Sequence, residues 1–128
     1  MEFGSILNRV FTQVSYMLKK KYTTLNCTTK GENIGNAKFP TMYMKELPAV
    51  EMANDLDNTT VNAILHTIEI QVYTKNDETM CKNIMNDAVL EMKRFRYNVT
   101  AMPIVETNDT VSRGVARFRR MVGSGDTL

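Results

Sequence analysis

A stripe of apolar residues at helical spacing marks the beginning of the chain. Val10, Val14 and Leu18 recur at intervals of four, which places their side chains on one helical face. The pattern predicts an amphipathic helix from Ser5 to Lys20. Lysines at its end place positive charge at the negative end of the helix macrodipole.

A strict alternation of apolar and polar residues follows from Val61 to Thr74. Ile68 and Ile70 point to one side, whereas Glu69 and Gln71 point to the other. This period of two predicts a half-buried strand, which we expect to be the longest of the sheet.

Two shorter strands and a loop are expected before this strand. Tyr22–Thr29 and Pro40–Leu47 are rich in residues that favour strands. Pro48–Thr60 has no long periodic pattern and carries several Asn, Asp and Thr residues, so an exposed loop is expected. Loops of this length usually serve a function.

A second helix is predicted after the long strand, with Asn76 as its N-cap. The expected buried stripe consists of Met80, Ile84, Ala88, Val89, Met92 and Phe95. Its methionines could form an adaptable binding surface, but core filling is the favoured interpretation.

The final segment predicts a hairpin and completes the fold class. Tyr97–Thr107 and Val111–Val122 have strand character and flank a polar turn at 108–110. The element order predicts an α+β fold, a two-layer sandwich with two helices on one face of a mainly antiparallel sheet of about five strands. We expect one domain over 5–122, a leader or cloning remnant at 1–4 and a flexible tail at 123–128.

Composition narrows the class of protein. The 43% hydrophobic and 23% charged residues are typical of a globular protein. No apolar run approaches the roughly 20 residues that a bilayer requires, so no membrane partner is expected. The formal net charge of +2 predicts no strong overall attraction to nucleic acid.

Motifs for catalysis or metal binding are missing from the sequence. His66, the single histidine, shares a strand face with Ile64 and Ile68, and a hydrogen-bonded core histidine is the favoured interpretation. It would act as a base or ligand only if other polar groups converged on it. Cys27 and Cys81 lie far apart and are expected to be separate buried thiols. We therefore expect no enzyme, cofactor or metal.

The last strand carries a row of basic side chains. Arg113, Arg117 and Arg119 fall on one face beside Val115. A solvated basic face is the simplest interpretation. A small nucleic-acid-binding module is an alternative, because arginines with interleaved aromatic residues suit phosphate and base contacts.

A third interpretation pairs these arginines with acidic residues of a neighbouring copy. Unlike patches on one molecule form a heterologous contact, which generates a ring when the rotation closes. Charge complementarity would set register and orientation more than affinity. The expected acidic partners lie in the predicted loop, at Glu51, Asp55 and Asp57.

The whole chain resembles the tail terminator and tail-completion proteins of long-tailed phages. The matching features are the opening helix from Ser5, the strand ILHTIEIQVYTKNDE that leads into the helix MCKNIMNDAVLEMKRF, and the closing hairpin that ends in VARFRRMV. Together they span most of residues 5 to 122.

The resemblance implies a structural virion protein rather than an enzyme. Its expected form is a homohexameric ring that caps the tail tube and joins it to the head connector. The implied partners are copies of this chain, the tail tube protein and the head connector or neck protein, with DNA passing through the lumen without specific binding. The implied location is the virion tail or neck, after assembly in the host cytoplasm. Neck and head-tail joining proteins share this layout and are the alternative.

Overall fold

The computed structural model describes residues 6–30, 39–54 and 61–123, and their side chains except those of 49–54 and 61–63. The helices and strands are α1 (Ile6–Lys21), β1 (Asn26–Thr28), β2 (Thr41–Asn54), β3 (Val61–Lys75), α2 (Glu78–Arg94), β4 (Asn98–Asn108) and β5 (Val111–Gly123). Two helices and a five-stranded sheet make an α+β fold, which confirms the predicted class.

The sheet is mixed, with strand order β1-β2-β3-β5-β4. Short β1 pairs in parallel with the beginning of β2, and the other three pairings are antiparallel. The mainly antiparallel character agrees with the sequence. The placement of both helices on one face stays a prediction.

Helix α1 buries the stripe that its spacing predicts. Val10, Val14 and Leu18 are at most 2% exposed and belong to the hydrophobic core. The strand expected from Tyr22 is wrong in its first half. The Tyr22 N–H donates to the carbonyl of Leu18, and a turn follows, so β1 begins only at Asn26.

Strand β2 continues to Asn54, so the expected loop is wrong for residues 48–54. The pairing of β2 with β3 is irregular at three points, the first between Leu47 and Val50. Pro48 lies within this irregularity, and proline cannot donate to the strand ladder. These bulges break the period of two and conceal the strand in the sequence. The remainder of the expected loop, 55–60, lies outside the described residues.

Strand β3 is the longest strand among the described residues, as predicted, and lies between β2 and β5. Ile68, Ile70 and Val72 are completely buried. Glu69 and Gln71 point to the other side of the sheet, yet each is only 8% exposed. The middle of β3 is therefore shielded from solvent on both sides.

The N-cap of α2 is Asp77, which corrects the prediction of Asn76. The Asp77 carboxylate accepts a hydrogen bond of 2.9 Å from the N–H of Met80. Asn76 instead adopts a left-handed conformation, with φ of 58°, and turns the chain between β3 and the helix. Asn and Asp both favour helix caps and turns, so the sequence alone could not decide which of the two residues is the N-cap.

Helix α2 packs closely against β5. Its buried residues are Cys81, Ile84, Met85, Ala88 and Met92, so its methionines mainly fill the core. A Cβ atom added at Gly114 would lie 2.7 Å from Cγ of Met85 and 3.3 Å from Sγ of Cys81. Glycine at this position therefore sets how near the helix approaches the sheet.

The closing hairpin is confirmed. Strands β4 and β5 pair up to Asn108 and Val111, and Asp109 in the turn has a φ of 61°. Left-handed backbone at a turn residue suits Asp, whose side chain tolerates that conformation. Neither helix in the described part of the chain is long and apolar enough to cross a membrane.

Replacement of Gly114 tests this close packing. Gly114→Ala should lower the free energy of unfolding by about 1–3 kcal/mol, because the new methyl group overpacks the contact with Met85. Urea titration followed by circular dichroism measures the loss. The same substitution in a Met85→Ala background should cost less. Equal costs in both backgrounds would contradict the proposed contact.

Candidate interface on the arginine face of the sheet

The side chains of β5 alternate between the core and the surface. Ala116, Phe118 and Val122 are buried, whereas Arg113 and the other odd-numbered arginines are exposed. Because successive side chains of a strand point to opposite faces, Arg113, Arg117 and Arg119 lie on one face, as predicted.

Neighbouring strands add further residues to this surface. Arg117 lies directly opposite Glu69, Arg113 opposite Tyr73, and Val115 opposite Gln71. On the other side of β5, Ile104 pairs with Val115 and Glu106 with Arg113. We call this surface the arginine face; it consists of Glu69, Gln71, Tyr73, Ile104, Glu106, Arg113, Val115, Arg117, Arg119 and Met121.

A continuous chain of polar contacts runs across the arginine face. Nε of Arg113 donates to the Tyr73 hydroxyl at 3.1 Å, and that hydroxyl donates to Oε1 of Gln71 at 2.5 Å. Nε2 of Gln71 donates to Glu69 at 3.4 Å, and Glu69 forms an ion pair with Arg117 at 3.5 Å. These contacts restrict the positions of the Arg113 and Arg117 guanidinium groups in the absence of a partner.

The arginine face combines positive charge with exposed apolar side chains. Glu69 offsets the charge of Arg117, and Glu106 lies directly opposite Arg113. Arg119 lies opposite the neutral residues Thr67 and Asn98, so among the three arginines the positive charge is least offset at Arg119. Ile104 is 64% exposed and Met121 is 53% exposed. Exposed apolar side chains beside arginines are typical of protein–protein interfaces, where arginine is enriched.

Of the acidic residues predicted as partners, only Glu51 belongs to the described part of the chain, and it does not lie in a loop. Glu51 lies in β2, where it pairs with Ile64, rather than in a loop. Asp55 and Asp57 lie outside the described residues, in the connection between β2 and β3. The contact between them and the arginines therefore stays a prediction.

A second polar cluster surrounds His66. The sequence alone predicted no hydrogen-bond partner for this residue. His66 is 1% exposed, and its Nδ1 lies 2.7 Å from the Tyr97 hydroxyl. Its Nε2 lies 2.6 Å from a carboxylate oxygen of Glu46. Arg120, directly opposite His66 on β5, donates to the carbonyl of Phe95 at 3.0 Å.

This cluster fits a core histidine with satisfied hydrogen bonds. Polar groups do converge on His66, but both ring nitrogens are occupied. A reactant could reach neither nitrogen without displacing Glu46 or Tyr97. Burial raises the pKa of Tyr97, so its hydroxyl keeps its proton near neutral pH and can donate to His66.

The two cysteines are separate free thiols, as predicted, but the predicted burial is confirmed only for Cys81. Cys81 is buried and Cys27 is half-buried. Burial raises the pKa of both thiols, which favours the protonated, less reactive form.

The chain matches no protein-family model, and no curated protein matches it.

Replacement of Tyr97 tests the histidine cluster. Tyr97→Phe removes the hydroxyl from Nδ1 of His66 and should cost about 1–3 kcal/mol of unfolding free energy, since a buried polar atom loses its partner. Tyr16→Phe is the control, because Tyr16 is 57% exposed. Equal stability of the two variants in urea titrations would show that the hydrogen bond contributes nothing.

The raised pKa of Tyr97 also predicts a dependence of stability on pH. In the folded protein the pKa exceeds its ordinary value of 10.0. As the pH rises, the Tyr97 hydroxyl therefore loses its proton in the unfolded state before it does so in the folded state. The contribution of Tyr97 to the free energy of unfolding is complete below about pH 10 and is lost as the pH rises further. In urea titrations, the parent protein should lose more stability above about pH 10 than Tyr97→Phe does. Parallel pH profiles would contradict this assignment.

Proposed function

We propose that this chain is a structural ring protein of the phage tail terminator type, which caps the tail tube and joins it to the head connector. The arginine face is the observation that carries the proposal. It is a surface of ordered arginine side chains on the central strands, with its positive charge least offset at Arg119 and with exposed apolar side chains beside it. Such a surface suits a repeated contact between identical copies.

The end of the β2–β3 hairpin is the complementary element. Pairing of β3 with β5 extends to Ala63 and Gly123, whereas pairing of β4 with β5 begins at Asn98 and Arg119. The hairpin therefore extends beyond β4. Its connecting segment carries Asp55 and Asp57, which would approach the arginine face of the next copy.

Unlike surfaces on one chain produce a head-to-tail arrangement, which forms a ring when the rotation between copies closes. Exposed ion pairs contribute only about 0.2–1 kcal/mol each, so the charges select register and orientation. Burial of Ile104 and Met121 would supply affinity. The ring would contact the tail tube protein on one side and a head connector or neck protein on the other, with DNA passing through its lumen.

A nucleic-acid-binding module is the second candidate. The guanidinium of Arg113 lies 5.9 Å from the centre of the Tyr73 ring, so a cation and an aromatic surface adjoin on one exposed face. Phosphate contacts by these arginines would make binding fall steeply with salt.

A neck or head-tail joining protein would use the arginine face in the same way as a terminator.

Solution mass tests the ring. Light scattering at two protein concentrations and two salt concentrations should detect a hexamer that dissociates as salt increases, because salt screens the charged contact. Arg119→Glu should shift the mass towards the monomer, and adding Asp57→Lys to that variant should restore assembly. Arg9→Glu is the control, because Arg9 is an exposed arginine of α1 that does not belong to the arginine face.

Two results would contradict the proposal. An unchanged hexamer after charge reversal at Arg119, or at Asp55 and Asp57 together, would show that the charged contact is wrong. A strict monomer that binds DNA at low salt, and loses this binding in Arg119→Glu, would favour the nucleic-acid-binding module.

A further inference from the structure

Two cavities lie along one flank of the molecule, where α2 lies beside the edge strand β4. The smaller, of ≈ 240 Å³, lies between Met85 and Pro103. The larger, of ≈ 510 Å³, lies between Val89 and Met102. The two cavities follow each other along both elements, and we call them together the flank groove.

Apolar side chains form the floor and one edge of the flank groove. Met85 is completely buried, and Val89, Val99 and Val105 are half-buried against the core. Met102 at the edge is 70% exposed, which is the largest exposure among the large apolar side chains of the described chain. A concave surface with an exposed methionine favours contact with apolar groups of a partner.

Basic side chains border the flank groove. Lys82 lines the smaller cavity, and Lys93 and Arg96 line the larger one. None of the described residues that line the two cavities is acidic. Lys82 lies 3.8 Å from Glu78, whereas the Lys93 side chain makes no ion pair within the described part of the chain. The positive charge is therefore concentrated at the larger cavity.

The free edge of β4 is poorly suited to pairing with a further strand. Pro103 has no N–H group, and the pairing of β4 is irregular between Ala101 and Ile104. An incoming strand would lose part of its hydrogen-bond ladder at this point. A partner would therefore bind mainly through side chains that enter the flank groove.

We propose that the flank groove binds an acidic peptide segment with apolar side chains, supplied by a different protein. Carboxylates of the segment would meet Lys93 and Arg96, and its apolar side chains would lie between Val89 and Met102. Helical segments with this mixture of residues commonly bind apolar grooves. The inference goes beyond the ring contact, because Met85 packs on Gly114, on the side of β5 opposite the arginines.

Fluorescence anisotropy with synthetic peptides tests the proposal on the full chain. The probe is a short labelled peptide of Asp and Leu, and matched peptides carry Lys in place of Asp or Ser in place of Leu. Binding is expected only for the first. Lys93→Glu should weaken it at least about fivefold, since reversal replaces attraction by repulsion. Met102→Ser should also weaken it.

Matched controls separate the flank groove from the arginine face. Met121→Ser and Arg113→Glu change the arginine face and should leave peptide binding intact. Arg119 is not a suitable control, because it lies directly opposite Asn98, which lines the larger cavity. No binding up to about 1 mM peptide at low salt, or equal binding by Lys93→Glu, would overturn the proposal. Loss of binding in Arg113→Glu alone would overturn it too, by moving the peptide to the arginine face.

Measurement of the solution mass decides whether the flank groove binds a different protein or a second copy of this chain. If the flank groove takes a different protein, Lys93→Glu should retain the mass of the parent chain. A changed mass would make a second copy the occupant and would overturn the assignment. If the chain forms a hexamer but binds no peptide, the proposed peptide site is wrong and the proposed ring is unaffected.

Discussion

The close contact of α2 with β5 at Gly114 is the constraint on which the surfaces of this protein depend. No side chain stands between the strand and Met85, so the helix lies directly on the sheet. With one side of β5 committed to this contact, alternation sends Arg113 and the other odd-numbered residues to the opposite side. The same contact places the side of α2 against β4 and creates the flank groove.

The outer side of the sheet is ordered by polar contacts rather than by a hydrophobic layer. Glu69 and Gln71 are each only 8% exposed, because Tyr73 and the arginines lie across them. A buried carboxylate is costly unless it is paired, so Arg117 stabilises the charge of Glu69. The arginines thus help to maintain the sheet surface that is proposed to meet a neighbouring copy.

Regular periodicity predicted the elements that obey it, and irregularity hid the others. Helix α1, β3 and the closing hairpin follow periods that the sequence displays. The extension of β2 past Pro48 was missed because bulges break its alternation. The partners of His66 depend on contacts between distant segments, although one signal existed. Glu46 shares its strand parity with the buried Met42 and Met44, which places its carboxylate on the side of the sheet that carries His66.

The net charge of +2 conceals how the charges are distributed. Several described carboxylates are already paired with basic side chains within the fold: Asp87 with Lys21, Glu78 with Lys82, Glu91 with Arg94 and Glu69 with Arg117. This internal pairing leaves Arg119 and Lys93 as positive charges on separate surfaces. The proposed contact with a neighbouring copy and the proposed binding of an acidic peptide would therefore use different residues. The proposed ring could then close through one surface and receive another protein at the other.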